Sequence, residues 1–362
     1  MPIHFMNYPF IHFTCNNPTP TTMDRNEEDM KFVGFFGIFN QSFKTIFSWK
    51  KIFAQITLTL ILPLTIVFLV HREISHHLFG KIEFLNIDSN SLLQIEPIDN
   101  DGSRPGAMDW LYYWLFTIAY FIFLTVFSIL STAAVVFTIA SIYTDREIVF
   151  RNVMKIVPKV WKRLLVTFLF IYLALFIFDV IGGVALVIFG SIFHNSLFGV
   201  ILLLIFLILY IIGLLYLSFV CQLASVVTVL ENTHGSKAMR KGKDLANGKK
   251  KVGMGIAFVL YGFLLGLLIV YELFVEYGGQ NLGLKMIWRV MIGTLCGLLL
   301  LMLFLLLIVT QTMLYLVCKS HHREVIDKLS LSTFLGAYMG ETVVYPAAGE
   351  EIQLGRPQHQ QV

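Results

Sequence analysis

Residues 197–230 read LFGVILLLIFLILYIIGLLYLSFVCQLASVVTVL, 34 positions without one Asp, Glu, Lys or Arg. About 20 apolar residues suffice to cross the hydrocarbon core of a bilayer, so this stretch alone points to an integral membrane protein. Unbroken apolar side chains from Ile201 to Leu207 exclude the in–out alternation of a membrane β-strand. A segment surrounded by lipid must satisfy its own backbone, which makes it a helix. That helix measures about 51 Å at 1.5 Å per residue, against a core of roughly 30 Å. Tilt absorbs part of the excess. The rest is expected to leave the membrane or to pack against helices lying at its surface.

Five more runs of this kind lie on either side, at 52–70, 111–142, 164–190, 252–271 and 290–318. The composition agrees, with 57% apolar and only 14% charged residues, where soluble proteins carry about 25% charged. Charge asymmetry orients the spans. Residues 143–163 hold six Lys and Arg against two acids, and 231–251 hold seven against two. The 71–110 segment reverses this, with three basic residues against seven acids. By the positive-inside rule both basic segments are cytosolic, and both termini with them. The expected chain is an all-α bundle of six transmembrane helices over 34–319. Cytosolic tails flank it at 1–33, expected to be disordered, and at 320–362.

A repeating unit underlies the spans. Trp49-Lys50-Lys51-Ile52-Phe53, Trp161-Lys162-Arg163-Leu164-Leu165 and Lys249-Lys250-Lys251-Val252 each lead from a basic stretch into a short span, and a longer span follows. Ser131-Thr132-Ala133-Ala134, Cys221-Gln222-Leu223-Ala224 and Thr310-Gln311-Thr312-Met313 superpose with offsets near 90 residues. Three pseudo-repeated helical hairpins with interfacial helices on the cytosolic side are therefore expected. Phe35, Phe36, Phe39, Phe43, Ile46 and Phe47 fall on one helical face, that of an amphipathic helix in the interface. Val149, Val153, Ile156, Val160 and Leu164 repeat it, with Pro158 expected to kink or break the helix. The third copy keeps its lysines but offers only Ala238, Met239, Leu245 and Ala246 as an apolar face.

Residues 1–22 have neither the basic start and cleavage site of a secretory signal nor the Arg-rich character of a transit peptide. Met23-Asp24-Arg25 would make a natural start, so 1–22 is expected either to lie outside the native protein or to be a disordered extension of it. The cysteines, Cys15, Cys221, Cys296 and Cys318, form no disulfide framework.

Phe35-Phe36-Gly37-Ile38, Ser48 to Phe53, Ile61-Leu62-Pro63-Leu64, Tyr112 to Phe116, Leu230-Glu231-Asn232 and Gly336 to Glu341 carry a resemblance. On these stretches the chain resembles a plant family of six-span membrane proteins whose activity is uncharacterised, from Met23 to about Leu354. Its layout is more distantly similar to the membrane domain of bacterial glycerophosphodiester phosphodiesterases. The second similarity implies architecture only, since a catalytic barrel takes about 250 further soluble residues. The resemblance implies a fold and a compartment, and no activity.

Asp179 is the one ionisable residue well inside these runs, and intramembrane charge marks a functional site by default. It reads as a bonded carboxyl held by Thr125, Ser128 and Thr132 of the second span, as a proton- or ion-linked group beside the helix-loosening Gly182-Gly183, or as a residue too near the outer face to matter. Thr132, Gln222 and Gln311 occupy equivalent repeat positions, as interhelical hydrogen-bonding groups or as a polar ring. Gly262-x-x-x-Gly266 and Gly293-x-x-x-Gly297 predict close packing of the fifth and sixth spans, or an oligomer face. Lys237, Arg240, Lys241, Lys249, Lys250 and Lys251 are candidate contacts for anionic lipid headgroups, or topology determinants alone. His71, His76 and His77 with Glu73 lack the cysteines or HExxH spacing of a metal site, so no metal or cofactor is expected. No nucleic-acid-binding module is visible. The sequon Asn40-Gln41-Ser42 falls on the cytosolic side and is expected to stay unglycosylated.

No nucleophile–base pair, P-loop or dinucleotide fingerprint is visible. The expected role is therefore non-enzymatic: a scaffold, adaptor or lipid-associated regulator whose partners are membrane lipids or a cytosolic protein. The alternative is a small-solute or ion transporter working through Asp179.

Overall fold

A computed structural model describes residues 34–75, 107–144, 149–193, 197–231, 233–278, 283–321 and residue 336. The described residues form eight helices and no strand. Six are long and apolar enough to cross a membrane: α2 (Lys50–Ser75), α3 (Ala107–Tyr143), α4 (Phe150–Phe193), α5 (Leu197–Leu230), α7 (Lys250–Glu276) and α8 (Met286–His321). Two shorter helices, α1 (Phe35–Ser48) and α6 (Ser236–Ala246), lie beside the ends of the spans that carry the basic segments. That end is called the basic end below, and the opposite one the acidic end. The tails at 1–33 and most of 322–362 lie outside the described residues.

The core sits toward the basic end. There α3, α5 and α8, the long spans of the sequence, touch one another pairwise. Residues 131–141 and 308–318 are buried throughout, and so is 219–230 apart from Gln222. An apolar sequence running well past one bilayer thickness thus has a packing reason. Its extra turns are wrapped by the surface helices and need not face water. On α4 the wrapping face is Val153, Ile156, Val157, Val160 and Leu164, with Val149 left exposed. Pro158 does not break α4, which is continuous from Phe150 to Phe193. The amphipathic stretch and the third span are therefore one helix of 44 residues.

The α1 helix meets the protein with Ile38, Ser42 and Ile46, while Phe36, Phe43 and Phe47 point away from it. Its apolar residues thus divide between two surfaces, protein on one side and exposed rings on the other. A helix lying in a membrane interface needs that division. Toward the acidic end the bundle opens. The outer halves of α4 and α5 expose Phe176, Ile181, Val184, Val187, Leu204 and Leu209. Such a continuous exposed apolar surface is far larger than soluble proteins tolerate.

Two helices contain π-helical turns, α2 at Thr57–Ile61 and α7 at Glu272–Glu276. Three spans also run beyond their apolar cores. The α2 helix continues to Ser75 and α7 to Glu276, and α8 starts at Met286. These long helices consequently also carry Arg72, Glu73, Glu272, Glu276 and Arg289, which lie beyond the apolar runs read from the sequence.

Candidate functional site

The basic end is organised around one carboxylate. Glu231 ends α5 within a segment dominated by lysines, and three groups converge on it. Lys241 on α6 reaches Oε2 at 2.6 Å, and Lys319 on α8 reaches Oε1 at 2.9 Å. The Tyr315 hydroxyl donates to Oε1 at 2.7 Å. The Glu231 side chain is only 13% exposed, against 34% for Lys241 and 19% for Lys319. Burial by itself would raise the Glu231 carboxyl. The hydrogen bonds from Lys241, Lys319 and Tyr315 outweigh it and hold the group below the usual carboxylate value.

Glu231 thereby fastens α6 to both α5 and α8. Two further contacts fix the same helix. Gly235, at φ +62°, turns the chain after α5, and its N–H donates to Thr167 Oγ1 at 2.9 Å. Thr167 in turn shares a 2.9 Å hydrogen bond with Thr228 on α5. At Gly242, α6 lies on the backbone of α5: a Cβ there would stand 3.0 Å from Ala224 N and Val220 O. Ala238, Gly242, Leu245 and Ala246 are the buried face. Those small residues give little apolar area because they permit close approach. What looks in sequence like a degraded amphipathic helix is a tightly seated one.

The outward face of α6 is basic. Lys237, Arg240 and Lys243 are exposed, and Lys250 and Lys251 at the start of α7 continue the surface. Lys250 also stands over the Tyr216 ring, 5.8 Å from its centroid. Lys249 is partly buried. Lys241 departs from the sequence reading, which placed it among the lipid contacts: its ammonium is at Glu231. Sequence reasoning missed Glu231 as a hub, although an acid at the apolar-to-basic boundary of 231–251 was a usable signal.

Asp179 is not held by the second span. Its carboxylate accepts a 2.8 Å hydrogen bond from Tyr210 Oη of α5, on the exposed surface of the α4–α5 hairpin. Tyr210 also stacks on Phe178, centroids 5.3 Å apart, and lies against Gly182. The helix does not unwind at Gly182-Gly183; Gly182 provides close approach, because any Cβ there would overlap the Tyr210 ring. We expect Gly182→Leu to separate the outer hairpin and lower the melting temperature by several degrees. Asp179→Asn keeps an oxygen for Tyr210 and should change it little. Differential scanning fluorimetry of the full chain in detergent compares the two.

Thr132, Gln222 and Gln311 all lie on the three core helices, but no hydrogen bond joins any two of them. Gln222 Nε2 donates instead to Tyr261 Oη on α7 at 2.9 Å. The fifth and sixth spans do pack together, as expected, though not through both glycine pairs. Gly293 meets Val275 of α7 at 3.6 Å, and Gly297 faces Leu69 of α2 at 3.3 Å. Gly262 and Gly266 have nothing within 4 Å of an added Cβ and look outward. Of the histidine group, His71 stacks on Tyr120 with centroids 3.5 Å apart, and His76 and His77 lie outside the described residues.

The family described as "Domain of unknown function (DUF8558)" matches residues 23–356, and the chain belongs to it. No curated protein and no solved structure matches.

Proposed function

We propose that this DUF8558 member is a non-catalytic, lipid-associated membrane scaffold that gathers anionic headgroups on its basic end. The observation carrying this reading is the seating of α6. A helix with Lys237, Arg240 and Lys243 outward is fixed against the core by Gly242 and by the Glu231–Lys241 pair. Its cations therefore keep a defined height and direction at the basic end, where α1 separately exposes the Phe36, Phe43 and Phe47 rings. Anionic leaflets attract such a surface by about 1 kcal/mol per near-surface Lys or Arg. By the positive-inside rule the surface lies in the cytosol, the leaflet that is richer in anionic lipid. Three pseudo-repeated hairpins, whose long members α3, α5 and α8 meet in the core, supply a rigid base for it. The transport reading gains nothing from the position of Asp179, which faces outward with Tyr210 as its partner.

Full-length protein in nanodiscs of equal phosphatidylserine and phosphatidylcholine tests this by native mass spectrometry of the retained lipid. Replacing Lys237, Arg240 and Lys243 together with Gln should weaken phosphatidylserine retention on the order of 100-fold, about 3 kcal/mol. An unchanged lipid ratio would sink the reading. A loss matched equally by phosphatidylcholine would do the same.

A further inference from the structure

Of the six long helices, α4 and α5 have the least buried apolar centres. Between Leu164 and Phe193 the run of α4 holds one charged residue, Asp179. It lies about 22 Å along the helix from Leu164 and about 21 Å from Phe193, at 1.5 Å per residue. That is the middle of the run, and Asp179 is exposed there. With the hairpin crossing a bilayer, as its apolar runs require, this carboxylate would meet hydrocarbon near the midplane.

Tyr210 offsets only part of that cost. Its hydroxyl donates to one carboxylate oxygen, at 2.8 Å, whereas an ionised carboxylate has about four acceptor sites. A neutral hydroxyl also leaves the net charge in place. Among the described residues no Lys, Arg or His forms an ion pair with Asp179. Intramembrane carboxylates ordinarily face the bundle interior or a water-filled cavity and pair there. Asp179 faces out of its own bundle, so a group that answers its charge has to come from outside the chain.

The surface around it admits close approach. By helical spacing Leu175, Gly183, Leu186 and Gly190 share the Asp179 face. A Cβ added at Gly183 or Gly190 would have nothing within 4 Å, so both glycines look outward. Small residues in such positions let the backbone of another helix come near. Charge then selects the occupant. Among the described residues, the spans hold no Lys or Arg between the basic end and Arg72 and Arg289 near the acidic end. A second copy of this chain would therefore bring a second carboxylate to this depth and no cation. Lipid headgroups do not reach the midplane. We propose that the outer face of the α4–α5 hairpin, at Asp179, docks a transmembrane helix of a partner protein that carries a Lys or Arg midway along its apolar run. The site is independent of the basic surface on α6, and it rests on the long helices lying in a membrane.

The test places full-length protein in phosphatidylcholine liposomes with a synthetic Leu/Ala helix of about 24 residues bearing one central Lys. Energy transfer between labels on the two reads their association, with central-Gln and central-Leu helices as comparisons. The Lys helix should bind about tenfold more tightly than either, a ratio within reach of one close charge pair. Asp179→Asn, which keeps an oxygen for Tyr210, should erase that advantage. Gly183→Leu should weaken binding of the Lys helix about tenfold by blocking close approach, while Gly262→Leu on the outward face of α7 leaves it unchanged. A photo-leucine beside the central Lys should place its adducts on 175–190 of α4 and the facing part of α5. If Asp179→Asn fails to fold, the peptide comparison and the adduct map still decide. Equal binding of the three helices would overturn the proposal, as would a Lys advantage that persists in folded Asp179→Asn protein. A Gln helix that binds as tightly as the Lys helix would reject the cationic partner. Energy transfer between two labelled copies of the protein, lost in Asp179→Asn, would assign the face to a second copy and reject it too.

Discussion

Glu231→Gln is expected to destabilise the protein by about 3 kcal/mol, the largest effect of any single polar substitution at the basic end. Removing one partner of a buried ion pair costs about 3–5 kcal/mol, because the remaining charge stays behind without compensation. Here two ammonium groups, Lys241 and Lys319, would face each other across a neutral amide. Lys241 is a third exposed and water relieves part of its loss, which places the expectation at the low end of that range. The pH dependence follows from the same contacts. A carboxyl held below its ordinary value stabilises the fold above its unfolded pKa, about 4.3, and the contribution fades as pH falls through the lower folded value. Melting curves from pH 7 to pH 3 should show a steeper acid limb for the parent protein than for Glu231→Gln. Superimposable curves would remove Glu231 from the account.

The second large effect is Gly242→Leu. A Cβ there meets backbone atoms of α5, Ala224 N and Val220 O, and backbone cannot move aside as a flexible side chain can. Overpacking costs roughly 1–3 kcal/mol when the site stays closed. Lifting α6 away relieves it at the cost of the Ala238, Leu245 and Ala246 contacts. Local opening should then expose 236–251 to protease while the spans stay folded. Trypsin should cut this segment at least tenfold faster than in the parent. Phosphatidylserine retention should fall although every lysine is still present. Faster cleavage with unchanged retention would mean that the charges act without being positioned.

How far the sequence was legible depended on the kind of signal. The six long apolar helices were legible because a charge-free run of that length has only one reading if it lies in lipid. The surface helices were less so, since the second expected one is continuous with α4 and α6 offered little apolar area in sequence. Span ends were less legible. Glu272 and Glu276 look like loop residues by polarity, yet α7 continues through them, with Arg72 of α2 pairing with both carboxylates and Arg289 of α8 donating to the Val275 carbonyl between them. Pro158 predicted a kink or a break, and the break does not occur, because Val153, Val157 and Val160 pack against the core on either side of it. Both glycine pairs read alike, since spacing says which residues share a face and not what the face meets. Gly293 and Gly297 face neighbouring helices, while Gly262 and Gly266 face outward. A groove between α2, α7 and α8 was invisible in sequence, because its lining comes from spans separated by about 200 residues. Asp179 drew notice by its rarity, but its surroundings make it a hairpin contact with Tyr210. Glu231, one acid among many bases, proved to be the organising group of its surface.

The central claim is that fixed cations on α6 hold anionic lipid, and photo-crosslinking with a headgroup-labelled phosphatidylserine tests it most directly. Full-length protein in mixed phosphatidylserine–phosphatidylcholine nanodiscs would be irradiated and its adducts assigned to peptides. The account predicts adducts concentrated on 236–251, reduced by raised salt and lost when Lys237, Arg240 and Lys243 are replaced with Gln. Adducts distributed equally over both ends of the bundle, or unaffected by those replacements, would contradict it.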